Sequence, residues 1–83
     1  MRKREPRVVL TFHTTAEAMA TERTCREQNI EGRLMPAPRA LSADCGIAWC
    51  SPLSYRETLE TLIADSGIEV AGIHTAEGIP DRD

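Results

Sequence analysis

The chain has 83 residues, a formal charge of −3 and 41% hydrophobic residues, which fits one small globular domain and excludes a multidomain enzyme. No apolar run reaches the length of a membrane span or a signal-peptide core, so the expected location is cytoplasmic and no membrane partner is expected. Positive charge gathers at Arg2, Lys3, Arg4 and Arg7, but no basic stripe alternates with aromatics, so nucleic acid is not an expected partner either.

Arg7 to His13, RVVLTFH, is β-branched and aromatic and predicts a buried strand. The two-residue period puts Val8, Leu10 and Phe12 on one face and Val9 and Thr11 on the other. Thr14 with Glu17 three residues later forms a capping box and starts a helix. Ala18, Thr21, Cys25 and Met19 make its weak apolar stripe, and Asn29 and Gly32 end the helical region. Gly32 to Pro36 predicts a short second strand. Ala37 to Asp44 is then a loop of eight residues, longer than the two to five of most hairpins. Cys45 to Cys50, CGIAWC, predicts the third strand, with Ile47 and Trp49 on one face and Ala48 and Cys50 on the other.

Pro52 suits a first helical position, and Ser54 with Glu57 offers a second capping box. Tyr55, Leu59, Leu62 and Ile63 fall at helical spacing, and Gly67 supplies a left-handed stop. Ile68 to His74 predicts the fourth strand. The order β-α-β-β-α-β is that of an α+β ferredoxin-like plait, a four-stranded antiparallel sheet with two helices on one face. The ordered core is expected over about residues 7–74, between a basic N-terminal tail and a polar C-terminal one. Val9, Thr11, Cys50 and Ala71 are the expected lining of an open second face, and an open face on so small a domain invites a homodimer.

The chemistry concentrates in PAPRALSADCG, Pro36 to Gly46. A cysteine is reactive as thiolate, and thiolate needs a cation, backbone N–H groups or a helix N-terminus beside it. Cys45 has Arg39 on the same loop. Pro36 and Pro38 restrict the loop, Gly46 permits a close backbone approach, and Ser42 and Asp44 can tie the loop to itself. Asp44 opposes ionisation of Cys45 unless Arg39 neutralises it. His13, at the end of the first strand, is an acid–base candidate.

The competing reading makes Cys45 a buried structural residue in a non-catalytic interaction or dimerisation module. Three cysteines without a signal peptide argue against a disulfide framework. There is no Cys-x-x-Cys, and Cys45 and Cys50 lack the second ligand pair of a structural zinc site, so no metal or other cofactor is expected. An extended strand sets those two thiols roughly 17 Å apart, and bridging them would require the strand to be broken.

Three stretches together resemble the selenium/sulfur carrier-like family: Thr11 to Thr15 (TFHTT), Pro36 to Gly46 and Gly67 to Ile73 (GIEVAGI). The resemblance implies a carrier of sulfur or selenium rather than an enzyme. Cys45 would hold the persulfide or perselenide, Arg39 and Ser42 would surround the anion, and Pro36, Pro38 and Gly46 would set the loop. Its partners would be the proteins that donate and accept the atom. Cys50 departs from what is expected there, and Asp44 beside the cysteine is unhelpful to thiolate formation.

Overall fold

A computed structural model of the chain describes residues 6–37 and 46–76. Its elements are β1 (Arg7–Thr11), α1 (Thr15–Glu27), β2 (Arg33–Pro36), β3 (Ile47–Pro52), a 3-10 turn (Leu53–Tyr55), α2 (Arg56–Ser66) and β4 (Gly72–Ala76). The sheet order is β2-β3-β1-β4, and each neighbouring pair is antiparallel. This is the ferredoxin-like α+β plait that the element order predicts.

The two-residue period assigns the strand faces correctly. Val8, Leu10 and Phe12 join Trp49, Ala18, Cys25, Leu59 and Leu62 in one buried cluster, so both helices cover this face. Val9, Ala48 and Cys50 form a second cluster on the opposite face, with Met35 and Ala37 packed against it. Trp49 and Phe12 are the two largest fully buried side chains, so two of the three aromatics anchor an otherwise aliphatic core.

Local signals fix the ends of α1. Thr14 caps it by accepting a hydrogen bond from the Glu17 N–H at 3.4 Å, and its hydroxyl donates to the Glu17 carboxylate at 3.2 Å. At the other end Asn29 takes the left-handed conformation, with φ of 60°. The Asn29 and Ile30 N–H groups then bond back to the Arg26 and Cys25 carbonyls at 3.2 and 2.8 Å, a Schellman closure that drops Ile30 into the core.

A buried hydrogen-bond chain holds the short β2 strand to its neighbour. Trp49 Nε1 donates to Ser51 Oγ at 2.7 Å, and Ser51 Oγ donates to the Glu31 carbonyl at 2.7 Å. The chain at Gly32 lies so close to β3 that a Cβ there would stand 2.5 Å from Ser51 Oγ and 2.6 Å from the Trp49 ring. Only hydrogen fits that position.

Several expected boundaries move. β1 pairs only as far as Thr11; Phe12 is still buried, and His13 is exposed. β3 begins at Ile47 rather than Cys45 and runs on to Pro52, which therefore ends a strand instead of starting a helix. The Ser54–Glu57 capping box does not form: Ser54 lies inside the 3-10 turn, and the α2 cap is Tyr55, with no side-chain bond. Met19 faces solvent at 58% exposure and leaves the α1 stripe to Ala18, Thr21 and Cys25.

The fourth strand starts at Gly72, not Ile68. Ile68 and Val70 pack against the core with their alternation intact, but β1 has no residues left to pair with them, since Thr11 already meets Gly72. Ala71 is an exposed bend and not part of a sheet face. The face opposite the helices also differs from expectation. Val9, Thr11, Ala48 and Cys50 are all buried within a single chain, so a second copy is not needed to cover them.

Cys25 is wholly buried between α1 and the sheet, and desolvation pushes its thiol up to about 11. The unfolded chain ionises first, near 9.0. The stability owed to this neutral thiol is therefore complete below that value and is lost as pH rises toward 11. In the folded protein at pH 8, iodoacetamide will spare Cys25, and denaturant will bring its alkylation to the rate of a free peptide thiol. Mass mapping that finds Cys25 alkylated as fast as an exposed thiol in native protein would contradict this packing. Gly32→Ala will lower stability by about 2 kcal/mol, the usual cost of forcing atoms into a filled core. Urea unfolding measures it, and a loss under about 0.5 kcal/mol would show that the contact with Trp49 and Ser51 yields freely.

Candidate functional site

The connection from β2 to β3 carries the thiol motif, and the structure describes its two flanks. On one side Pro36 ends β2, an edge strand where a missing N–H is tolerated. Pro36 pairs with Ile47, and beyond it the Ala37 N–H donates to the Gly46 carbonyl at 3.0 Å. The mouth of the loop is thus closed by one further backbone bond. On the other side Gly46 has φ of 76°. A Cβ there would meet no atom within 4 Å, so it is the left-handed backbone and not crowding that calls for glycine. Pro38, Arg39, Ser42 and Cys45 lie outside the described residues.

Register shows what surrounds the mouth. Ala48 pairs with Thr11 of β1 and with Met35 of β2, and Thr11 pairs in turn with Gly72 of β4. The end of β2, the start of β3, the end of β1 and the start of β4 therefore share one end of the sheet. Thr14 and the first turn of α1 follow directly from β1 at that end. His13 lies two residues beyond Thr11, and Gly46 two residues before Ala48. Of the expected site residues, the fold brings His13, Pro36 and Gly46 to this common end.

Two features near the mouth were not anticipated from the sequence. An apolar surface groove of about 300 Å³ runs along Leu34, Met35, Pro36, Gly46 and Ile47. His74, half-buried on β4, sets Nε2 3.4 Å from Thr11 Oγ1, with its ring over the bare Cα of Gly72. The signal for that pair was present in principle. Thr11 and His74 point to the same face once β1 and β4 are placed in register, but a strand drawn from Ile68 hides the register.

Among the described residues no group of three His, Cys, Asp or Glu side chains could hold a metal ion. No described helix is long and apolar enough to cross a membrane. Cys25 and Cys50 are buried on opposite sides of the sheet, Cys25 beneath α1 and Cys50 on the far face of β3. Neither is presented at the loop mouth.

Neither the curated proteins nor the solved structures gave a significant match to the chain. The model of one protein family, described as "Putative Se/S carrier protein-like", matches residues 7–75. That span begins with the first residue of β1 and ends one residue short of the end of β4, so it takes in every element of the fold. The chain belongs to this selenium/sulfur carrier-like family.

Proposed function

We propose that the protein is a covalent carrier that holds a sulfur or selenium atom on Cys45 as a persulfide or perselenide. Family membership is the observation that carries this reading. The closed loop mouth supports it, because a backbone bond from Ala37 to Gly46 pins both ends of the segment that bears the thiol.

The step requires no outside oxidant. The Cys45 thiolate attacks the terminal sulfur of a donor persulfide. A new S–S bond forms at Cys45, the donor's own S–S bond breaks, and its electron pair leaves on the donor thiolate. Delivery to an acceptor is the same exchange in reverse. A persulfide is more acidic than a thiol and is anionic at neutral pH, so it needs a cation and hydrogen-bond donors without being sealed from its partners. Arg39 and Ser42 take the cation and donor roles in this reading, Pro36, Pro38 and Gly46 shape the loop, and His13 handles protons at the same end of the sheet. Its partners are the donor and acceptor proteins. A reducing compartment such as the cytoplasm suits a thiol that must be restored between loadings.

Intact-mass spectrometry tests this directly. The protein is incubated with a cysteine desulfurase and cysteine, and separately with selenocysteine, as wild type and as Cys45→Ser. The expected result is a reducible gain of one sulfur or one selenium atom in the wild type and none in the variant. An equal gain in both, or no gain in either, would return Cys45 to a structural role and leave an interaction module as the better reading.

A further inference from the structure

The two edges of the sheet are β2 and β4, and the phase of the backbone hydrogen bonds distinguishes them. The Leu53 N–H donates to the Pro6 carbonyl at 3.3 Å, so in phase with it the bonding groups of Val8 and Leu10 turn toward β3. Those of Arg7, Val9 and Thr11 turn toward β4, and the Thr11 carbonyl accepts on that side from the Ala71 N–H at 2.7 Å. Their partners on β4 are Ala76, His74 and Gly72, so the residues between, Ile73 and Thr75, turn N–H and C=O outward. In β2 the same alternation, set by the Ala37–Gly46 bond, turns Leu34 and Pro36 outward. Pro36 has no N–H to offer, and the exposed Arg33 adds a charge to that strand. β2 thus carries the features that blunt an edge against pairing. β4, GIHTA, has no proline and no Lys, Arg, Asp or Glu.

We propose that β4 is a dimerisation edge, pairing antiparallel with β4 of a second copy of this chain about a two-fold axis at His74. The phase of the strand makes it complementary to itself. The axis sets Ile73 of each copy opposite Thr75 of the other, so all the outward N–H and C=O groups of the two strands bond one another. Ile73 against Thr75 is also a favourable β-branched cross-strand pair. The side chains leave the edge clear. Thr75 is exposed, and the His74 ring leans inward over Gly72 toward Thr11 of β1. On the helix side Arg56 bonds Thr75 Oγ1 and is itself paired with Glu60 at 3.2 Å, so it brings no uncompensated cation to the junction. β4 lies at the opposite edge of the sheet from β2, so the β2–β3 connections of a dimer stand at its two far ends. A domain this small has a thin core, and a continuous sheet across two copies adds to its stability.

Sedimentation equilibrium of the full chain from low- to high-micromolar concentration, with amide hydrogen exchange on the same samples, tests this. The expected result is a rise toward twice the chain mass of 9.2 kDa. The Ile73 and Thr75 amides will exchange more slowly as the dimer forms, while the Leu34 amide stays fast. Thr75→Pro removes one outward donor from each copy and no bond to β1, and will raise the dissociation constant by about thirtyfold. Thr75→Val keeps that donor, loses only the Arg56 bond and will dimerise as the wild type does. Circular dichroism verifies that each variant is folded. Should Thr75→Pro not fold, His74→Lys gives the same loss by setting two cations opposite each other at the axis, and His74→Gln does not. Three results overturn the proposal: a monomer at every concentration, a dimer that the disruptive variants leave intact, or Ile73 and Thr75 amides already slow in the monomer, which would mean that another segment covers the edge. Loading of Cys45 is measured separately by mass, so failure here and failure of the carrier reading are distinguishable.

Discussion

The hydrogen-bond chain from Trp49 through Ser51 to the Glu31 carbonyl is the constraint on which the rest of this small fold depends. β2 is four residues long, lies at a sheet edge and ends in proline, so its own ladder to β3 is weak. What keeps it in register is the largest buried side chain in the core. The Trp49 indole N–H must be satisfied once buried, and Ser51 satisfies it while turning its own proton toward the chain just before β2. Gly32 allows that chain to lie close enough to be reached. Register at β2 then sets the pairing of Pro36 with Ile47, and so fixes the mouth of the loop that bears Cys45.

The fold buries two of the three cysteines on opposite sides of the sheet. Cys25 is enclosed between helix and sheet, where desolvation favours its neutral form. Cys50 is buried on the opposite face, beside Val9 and Ala48. Cys45 belongs by sequence to the connection between β2 and β3 and lies outside the described residues. Chemistry that passes an atom between proteins needs a thiol both reachable and stabilised as an anion, and the first two positions are poor candidates for that.

Much of this was legible in the sequence where one local interaction decides the outcome. Thr14 and Glu17 start a helix because the first-turn N–H groups need an acceptor. Asn29 and Gly67 end helices because both tolerate positive φ, and the alternation in β1 and β3 assigns faces without further information. Sequence reasoning failed where tertiary pairing overrides a good local pattern. Ser54 and Glu57 have capping spacing, yet the 3-10 turn consumes Ser54. Ile68 to Ala71 alternates like a strand, yet strand pairing stops where β1 stops. The second sheet face reads as open because its covering cannot be seen in the strand sequences themselves. At the candidate site, the roles of Pro36 and Gly46 as strand end and left-handed turn could be read from residue type alone. The Thr11–His74 contact could not, since it joins strands distant in sequence.

One consequence bears on how a carrier of this form would release its cargo. A persulfide can be discharged by a second thiol of the same chain, which converts the carrier into a disulfide, or by a thiol of another molecule, which restores it. The first route through Cys50 requires β3 to break between the loop mouth and Cys50, given the short Cα separation that a disulfide demands. β3 instead runs unbroken from Ile47 to Pro52, paired on both sides, with β1 and β2. Opening it would also separate Trp49 from Ser51 and release β2. On the carrier reading, then, the second thiol comes from an acceptor protein, and the sheet that fixes the loop also keeps the chain's own Cys50 out of the exchange.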